Sequence, residues 1–214
     1  MKRFWLVAVA FFVMLISVGC TGRNEPEAST YGSLVDYSQA FPEFKSVKDL
    51  VKSHKTVRKG KAVGELAAAA ENTNFIELDK LYVPTVIPVG YHLYKIEVFE
   101  PFVRFSYLLE SDMVSPDAVA DAFNQGQGFS FLFHRRQDAD IVMDAYLQHC
   151  NATEEDLIDG KYLFVEPSEL CWLSDGVFFA LSMPLPLLEK QPDEQAKIAE
   201  MIKYAEVEVV DLGG

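Results

Sequence analysis

The chain has 214 residues, half of them hydrophobic, and its 32 Asp and Glu against 19 Lys and Arg give a net charge of −13. Such an acidic protein repels polyanions, which excludes nucleic acid as a partner. Sixteen Phe and nine Tyr supply ample apolar surface for a packed core, so the composition excludes an intrinsically disordered chain.

The N-terminus has the pattern of an export signal. Two basic residues precede an apolar run over residues 4–18, which is shorter than the roughly 20 residues that a membrane-spanning helix needs. The run closes on Gly19-Cys20, which resembles the bacterial lipoprotein signal, in which cleavage leaves an acylated cysteine at the new N-terminus. We therefore predict a signal peptide at residues 1–19 and lipid attachment, such as palmitate, at Cys20. The alternative is an uncleaved signal anchor; both place the folded part outside the cytoplasmic membrane.

A small, polar segment follows Cys20, and we predict a tether over residues 20–45 and a single domain over residues 46–214. Ser46 and Asp49 form a capping-box pattern that predicts a helix start. Basic residues cluster here in an otherwise acidic protein, and they can contact an anionic membrane surface: Lys45, Lys48, Lys52, Lys55, Arg58, Lys59 and Lys61. The alternative is a solvated helix face followed by a basic loop.

The rest of the chain shows the patterns of both strands and helices. Period-two alternation or β-rich composition predicts strands at residues 75–83, 93–99, 102–109, 129–134, 161–165, 169–173 and 177–183. Helical signals predict helices at residues 115–123, 138–149 and 192–204. Asp175-Gly176 predicts a tight hairpin turn, and residues 206–212 are expected to close the sheet as an outer strand. The pattern therefore predicts an α+β domain in which helices cover one face of an antiparallel sheet.

No catalytic or ligand-binding signature stands out among the polar residues. Nothing in the sequence ties any of the histidines to a nucleophile: His54, His92, His134 and His149. Asp138, Asp140 and Asp144 lack the glycine and glutamate of an EF-hand loop and indicate a solvated helix start. We expect no metal site and no cofactor. Cys150 and Cys171 are either a disulfide, which export permits, or two core thiols.

Spaced aromatic and turn residues carry a resemblance to a known group of proteins. They occur in Tyr82-Val-Pro84, Pro88-x-Gly-Tyr91, Leu93-Tyr-Lys-Ile96 and Trp172-x-x-Asp-Gly176. This spacing resembles uncharacterised Gram-positive cell-envelope lipoproteins, whose domain of unknown function also occurs on the outward side of anti-sigma-like membrane proteins. The resemblance implies a curved antiparallel sheet packed on helices, distantly similar to lipid-carrier half-barrels. It implies no catalytic residues.

Together these observations predict an exported lipoprotein anchored to the outer side of the cell membrane, with a noncatalytic role in binding or sensing at the envelope. One alternative is a carrier that holds a lipid or another apolar ligand on the concave side of the sheet, among the Phe and Tyr side chains. A second alternative is an envelope enzyme without a recognisable motif.

Overall fold

The computed structural model describes residues 43–61, 78–99, 102–134 and 139–212. The strands are β1 (Glu43–Phe44), β2 (Lys80–Pro84), β3 (Tyr91–Phe99), β4 (Phe102–Leu109), β5 (Phe129–His134), β6 (Tyr162–Val165), β7 (Glu169–Ser174), β8 (Val177–Ser182) and β9 (Val207–Asp211). The α-helices are α1 (Val47–Arg58), α2 (Pro116–Asn124), α3 (Ala139–His149), α4 (Leu185–Leu188) and α5 (Glu194–Ile202). Two short 3-10 helices cover Glu110–Met113 and Glu154–Asp156.

Seven of the described strands form one antiparallel sheet in the order β1-β3-β4-β5-β8-β7-β6, which confirms the predicted α+β class. The β7–β8 hairpin turns at the predicted Asp175-Gly176, where both residues have positive φ. β1 lies within the segment that was predicted to be a tether. It is nevertheless part of the main sheet, because Glu43 and Phe44 pair with β3. The sheet therefore begins three residues before the predicted domain boundary at Ser46.

The expectation that the last strand closes this sheet was wrong. β9 pairs with β2 in a separate two-stranded sheet, in which Tyr82 lies opposite Val209. Leu81 of β2 is fully buried, and the Tyr82 ring makes edge contacts with Phe133 and Phe179 of the main sheet. The pair of strands therefore covers a face of the main sheet because that face is apolar and needs to be shielded from water.

The central strands carry buried apolar side chains on both sides, so parts of both faces of the main sheet are covered. On β8, Phe179 and Leu181 belong to one buried cluster while Phe178 and Ala180 belong to another, as alternation along a strand requires. The first cluster defines what we call the aromatic face, and the opposite side is the second face. Helices lie on both, which corrects the prediction that they cover only one.

The aromatic face carries the largest part of the core. Phe105, Phe131 and Trp172 project from it, and Trp172 stacks on Phe179 with ring centroids 5.2 Å apart. Besides β2 and β9, α1 contributes Leu50 and Val57 to this cluster, and α4 and α5 contribute Leu188 and Met201.

Two helices cover the two ends of the second face. At one end, α3 packs on β7 and β8 through side chains that include Val142, Met143 and Tyr146. At the other end, α2 packs Val119 and Ala122 against Leu108 of β4. A band of polar side chains lies on the sheet between these two apolar clusters.

Candidate functional site

Strand register aligns five polar residues across the second face. The pairs Lys95–Ser106, Ser106–Ser130, Ser130–Ser182 and Ser182–Glu169 link five consecutive strands, β3, β4, β5, β8 and β7. Paired residues share a face, and neighbouring strands lie about 4.8 Å apart, so the line is roughly 19 Å long. We call these five residues the polar row. Ser106 is buried and the other members are half-buried.

Charged side chains are paired at the β3 end of the polar row. Lys95 Nζ donates hydrogen bonds to Glu97 Oε1 at 2.9 Å and to Glu43 Oε1 at 3.0 Å. Arg104 Nη1 lies 3.8 Å from Glu97 Oε2. The side chains of Lys95, Glu97 and Arg104 are 21%, 18% and 26% exposed, which reduces solvent screening relative to a fully exposed pair. Desolvation lowers the pKa of Lys95, but Glu97 and Glu43 outweigh it and the pKa is raised.

The other end of the polar row carries a carboxyl group that titrates near neutrality. Glu169 is half-buried as a residue, and desolvation of its carboxyl raises the pKa to about 7. Tyr146 of α3, which is 1% exposed, donates a hydrogen bond from Oη to Glu169 Oε1 at 3.3 Å. That hydrogen bond and the positive charge of Arg104 both lower the pKa of Glu169, but less than desolvation raises it.

The arrangement suits recognition of a polar molecule. Serine hydroxyls both donate and accept hydrogen bonds, a protonated Glu169 does the same, and Lys95 and Arg104 donate.

A serine nucleophile would need a base within hydrogen-bond reach. His134 shares the second face of β5 with Ser130, but four residues along a strand separate them by about 13 Å. His134 is therefore not placed to activate Ser130.

The predicted basic segment forms a stripe on the first helix. Lys48, Lys52, Lys55 and Lys59 recur at intervals of three and four residues at α1 and its C-cap, so they share one side of the helix, and all four are exposed. We call these four residues the lysine stripe. The opposite side of α1 buries Leu50, His54 and Val57.

The other basic residues of the segment lie apart from the lysine stripe. Arg58 forms an ion pair with Asp79, just before β2. Lys45 Nζ lies 4.6 Å from the ring centroid of Tyr94 in a cation–π contact. Lys61 is exposed beyond the end of the helix. The structure thus brings together four of the seven predicted contact residues.

The two cysteines lie close together without a disulfide between them. Cys171 is buried on β7, and Cys150, half-buried just after α3, packs against the same apolar cluster. Burial is the main reason that the pKa of Cys171 is raised, and the nearby Glu169 and Cys150 raise it further. The structure thus has the two thiols of the second alternative, and it does not test whether export leads to a disulfide.

Other sequence-level candidates are dispersed or lie beyond the described part of the chain. The four histidines occupy different elements, with His54 and His134 buried and His92 and His149 exposed. The described residues contain no cluster of three or more His, Cys, Asp or Glu that could hold a metal ion. Three sequence-based candidates lie outside the described residues: Asp138, Cys20 and the predicted signal peptide. Within the described residues, no helix is long and apolar enough to cross a membrane.

The polar row was missed at the sequence level. Ser106 and Ser130 each lie between two aromatic residues in the sequence. This alternation indicates that the serine and the aromatic residues lie on opposite sides of the strand, but it does not indicate which strands are adjacent in the sheet. The row exists because β5 pairs with β8, which is distant in sequence and brings Ser182 beside Ser130. No local signal in the sequence gives that pairing.

Comparison of the chain with family models, curated proteins and solved structures finds no match.

Proposed function

We propose that this protein is an extracytoplasmic lipoprotein, held on the outer side of the cell membrane by lipidated Cys20, whose domain binds or senses a polar ligand at the envelope. The N-terminal sequence supports the location, and the polar row supports the binding role. A line of half-buried polar groups between two apolar clusters is a surface that can recognise a ligand by hydrogen bonds while excluding part of the solvent.

The charges around the polar row favour a ligand that is neutral or zwitterionic. Lys95 and Arg104 are balanced by Glu97 and Glu43, and Glu169 is partly protonated near neutral pH. Among the described residues around the polar row, a ligand with a large net charge of either sign would find no excess of opposite charge. Hydroxyl and amide groups match the donors and acceptors that the serines and Glu169 present.

Binding is favoured over catalysis because the charged groups stabilise one another. Glu97 accepts from Lys95 and lies beside Arg104, while Glu169 accepts from Tyr146. Groups held in this way have fixed positions, which lowers the entropic cost of ligand recognition. The spacing of His134 from Ser130 also disfavours a histidine-activated serine.

The carrier hypothesis places an apolar ligand among the aromatic side chains of the sheet. On the aromatic face, Phe131 lies within 6.2 Å of Trp172 and 5.9 Å of Phe179, measured between ring centroids. Tyr82 from β2 contacts Phe133 and Phe179 from above. These aromatic rings already pack against one another. We therefore favour the polar row over the aromatic face as the ligand site.

Native mass spectrometry of protein extracted mildly from membranes of the source cells tests this proposal. We expect a polar small molecule to remain bound to the wild type and to be lost from Arg104→Gln, since the substitution removes a charged donor beside the polar row.

Lys203→Gln is the matched control, because it also removes one positive charge but lies at an exposed site. Within the described part of the chain, the ion pair of Lys203 is with Glu200. The control must retain the bound molecule, and thermal unfolding must show that both variants are folded. No bound molecule in the wild type, or equal retention by Arg104→Gln, contradicts the proposal. A bound apolar lipid retained by both would favour the carrier instead.

A further inference from the structure

Among the residues that the structure describes, no contact accounts for Lys48 and Lys52 of the lysine stripe. Cations in the last turn of a helix interact favourably with the helix dipole, which accounts for Lys55 and Arg58. Lys48 lies in the first turn, where a positive charge is unfavourable, and Lys52 lies in the middle. Yet both are exposed and on the same side as Lys55 and Lys59.

The helix that carries the lysine stripe is fixed to the body of the protein. Its opposite side packs Leu50 and Val57 into the aromatic-face cluster. Ser46 caps its N-terminus by accepting a hydrogen bond from the Asp49 amide at 3.1 Å. The ion pair between Arg58 and Asp79 holds its C-terminal end. The backbone that carries the lysine stripe is therefore fixed to the domain.

We propose that the lysine stripe binds the anionic surface of the membrane to which the protein is tethered. Charge complementarity supports a negatively charged partner, because the stripe concentrates four positive charges in a protein of net charge −13. Proximity supports lipid as that partner, because only residues 21–42 separate Cys20 from β1, which leads directly into α1. This inference rests on the tether of the proposed function.

Contact through the lysine stripe fixes how the domain faces the envelope. α1 covers the aromatic face, whereas the polar row lies on the opposite face of the same sheet. With the stripe against lipid, the polar row points away from the membrane. A ligand would then approach from the cell exterior rather than from the bilayer.

Lysine footprinting on the full chain tests the contact. Protein extracted from source-cell membranes is reconstituted into phosphatidylcholine vesicles with or without phosphatidylglycerol, treated with an amine-acetylating reagent and read by mass spectrometry. Each lysine near an anionic surface adds attraction worth about fivefold in binding. We expect acetylation of the lysine stripe to slow about tenfold with phosphatidylglycerol and to recover at high salt. The exposed Lys161, Lys190 and Lys203 are internal controls that should not change.

A double variant separates a surface contact from an indirect effect. Lys52→Gln with Lys55→Gln should abolish most of the protection at Lys48 and Lys59. The matched control, Lys161→Gln with Lys190→Gln, removes the same charge elsewhere and should retain it. Circular dichroism checks that both variants keep their helices.

The outcomes distinguish this inference from the tether on which it rests. A chain that stays with both vesicles, but whose lysine stripe is acetylated equally fast on each, overturns the lipid contact and leaves the anchor intact. Protection that persists in the Lys52 and Lys55 double variant also overturns it. A chain that remains with neither vesicle contradicts the tether itself.

Discussion

At the scale of single residues, Glu169 provides the sharpest test of the polar row. Its pKa is about 7 in the fold, against 4.5 for an unperturbed glutamate, so the folded protein favours the protonated carboxyl. Between these two values the native state binds more protons than the unfolded state, and stability therefore falls as pH rises. Above about pH 7 both states are ionised and this contribution becomes constant.

We expect the free energy of unfolding of the wild type to fall by about 1 to 2 kcal/mol between pH 4.5 and 7. This is less than the full pKa shift of Glu169 would give, because the residue is only half-buried and solvent screens its charge. Glu169→Gln should remove this slope, since glutamine does not ionise and can still accept from Tyr146. Urea unfolding across this pH range measures it. Glu208→Gln, at an exposed site on β9, should keep the wild-type slope. Parallel pH profiles for the wild type and Glu169→Gln would contradict the assignment.

Residue-level sequence signals predicted the helix caps well. Ser46, Ser115 and Asp193 were each predicted at or beside a helix start, and each accepts a hydrogen bond from the amide three residues on. Capping depends on a few adjacent residues, so the sequence contains the whole interaction. The partners of Glu169 come from distant segments and could not be predicted in this way.

At the scale of elements, the turn after α2 joins two parts of the fold. Gly126 has φ of +65°, and its carbonyl accepts a hydrogen bond from the Leu185 amide of α4 at 2.8 Å. A Cβ at this position would lie 2.6 Å from Leu185 Cδ1 and 2.9 Å from Leu185 Cγ. Gly126→Ala therefore adds a steric clash to the backbone strain of a positive φ.

We expect Gly126→Ala to lower the free energy of unfolding by about 2 to 4 kcal/mol, as measured by chemical denaturation. Gly176→Ala is the matched control, because Gly176 has φ of +72° but open space around the added Cβ. It should cost only about 1 kcal/mol, the backbone strain alone. Equal losses in the two variants would show that the contact with Leu185 does not matter.

Element bounds followed from alternation, whereas strand partners did not. β4 was predicted at residues 102–109 and spans Phe102–Leu109, since alternating Phe and Tyr mark a strand locally. β9 was also predicted as a strand, but its partner β2 is more than a hundred residues away in the chain. Period-two alternation indicates which side of a strand is buried and not which strand lies beside it.

At the scale of the whole molecule, the α+β class was predictable and the layering was not. The mixture of helical and strand periods is visible in the sequence, and the antiparallel sheet follows from its hairpins. Coverage of both faces depends on β8 and its neighbours having two apolar sides, as in Phe178 and Phe179. The polar row interrupts the second face only because strands distant in sequence align their serines.

At this scale the proposed anchor at Cys20 is central, since the roles proposed for the polar row and the lysine stripe both assume a protein tethered to the membrane. The most direct measurement is the intact mass of the protein extracted from membranes of the source cells and denatured. We predict a chain that begins at Cys20 and carries the added mass of acyl chains. A chain that retains residues 1–19, or one without acyl groups, would contradict the account.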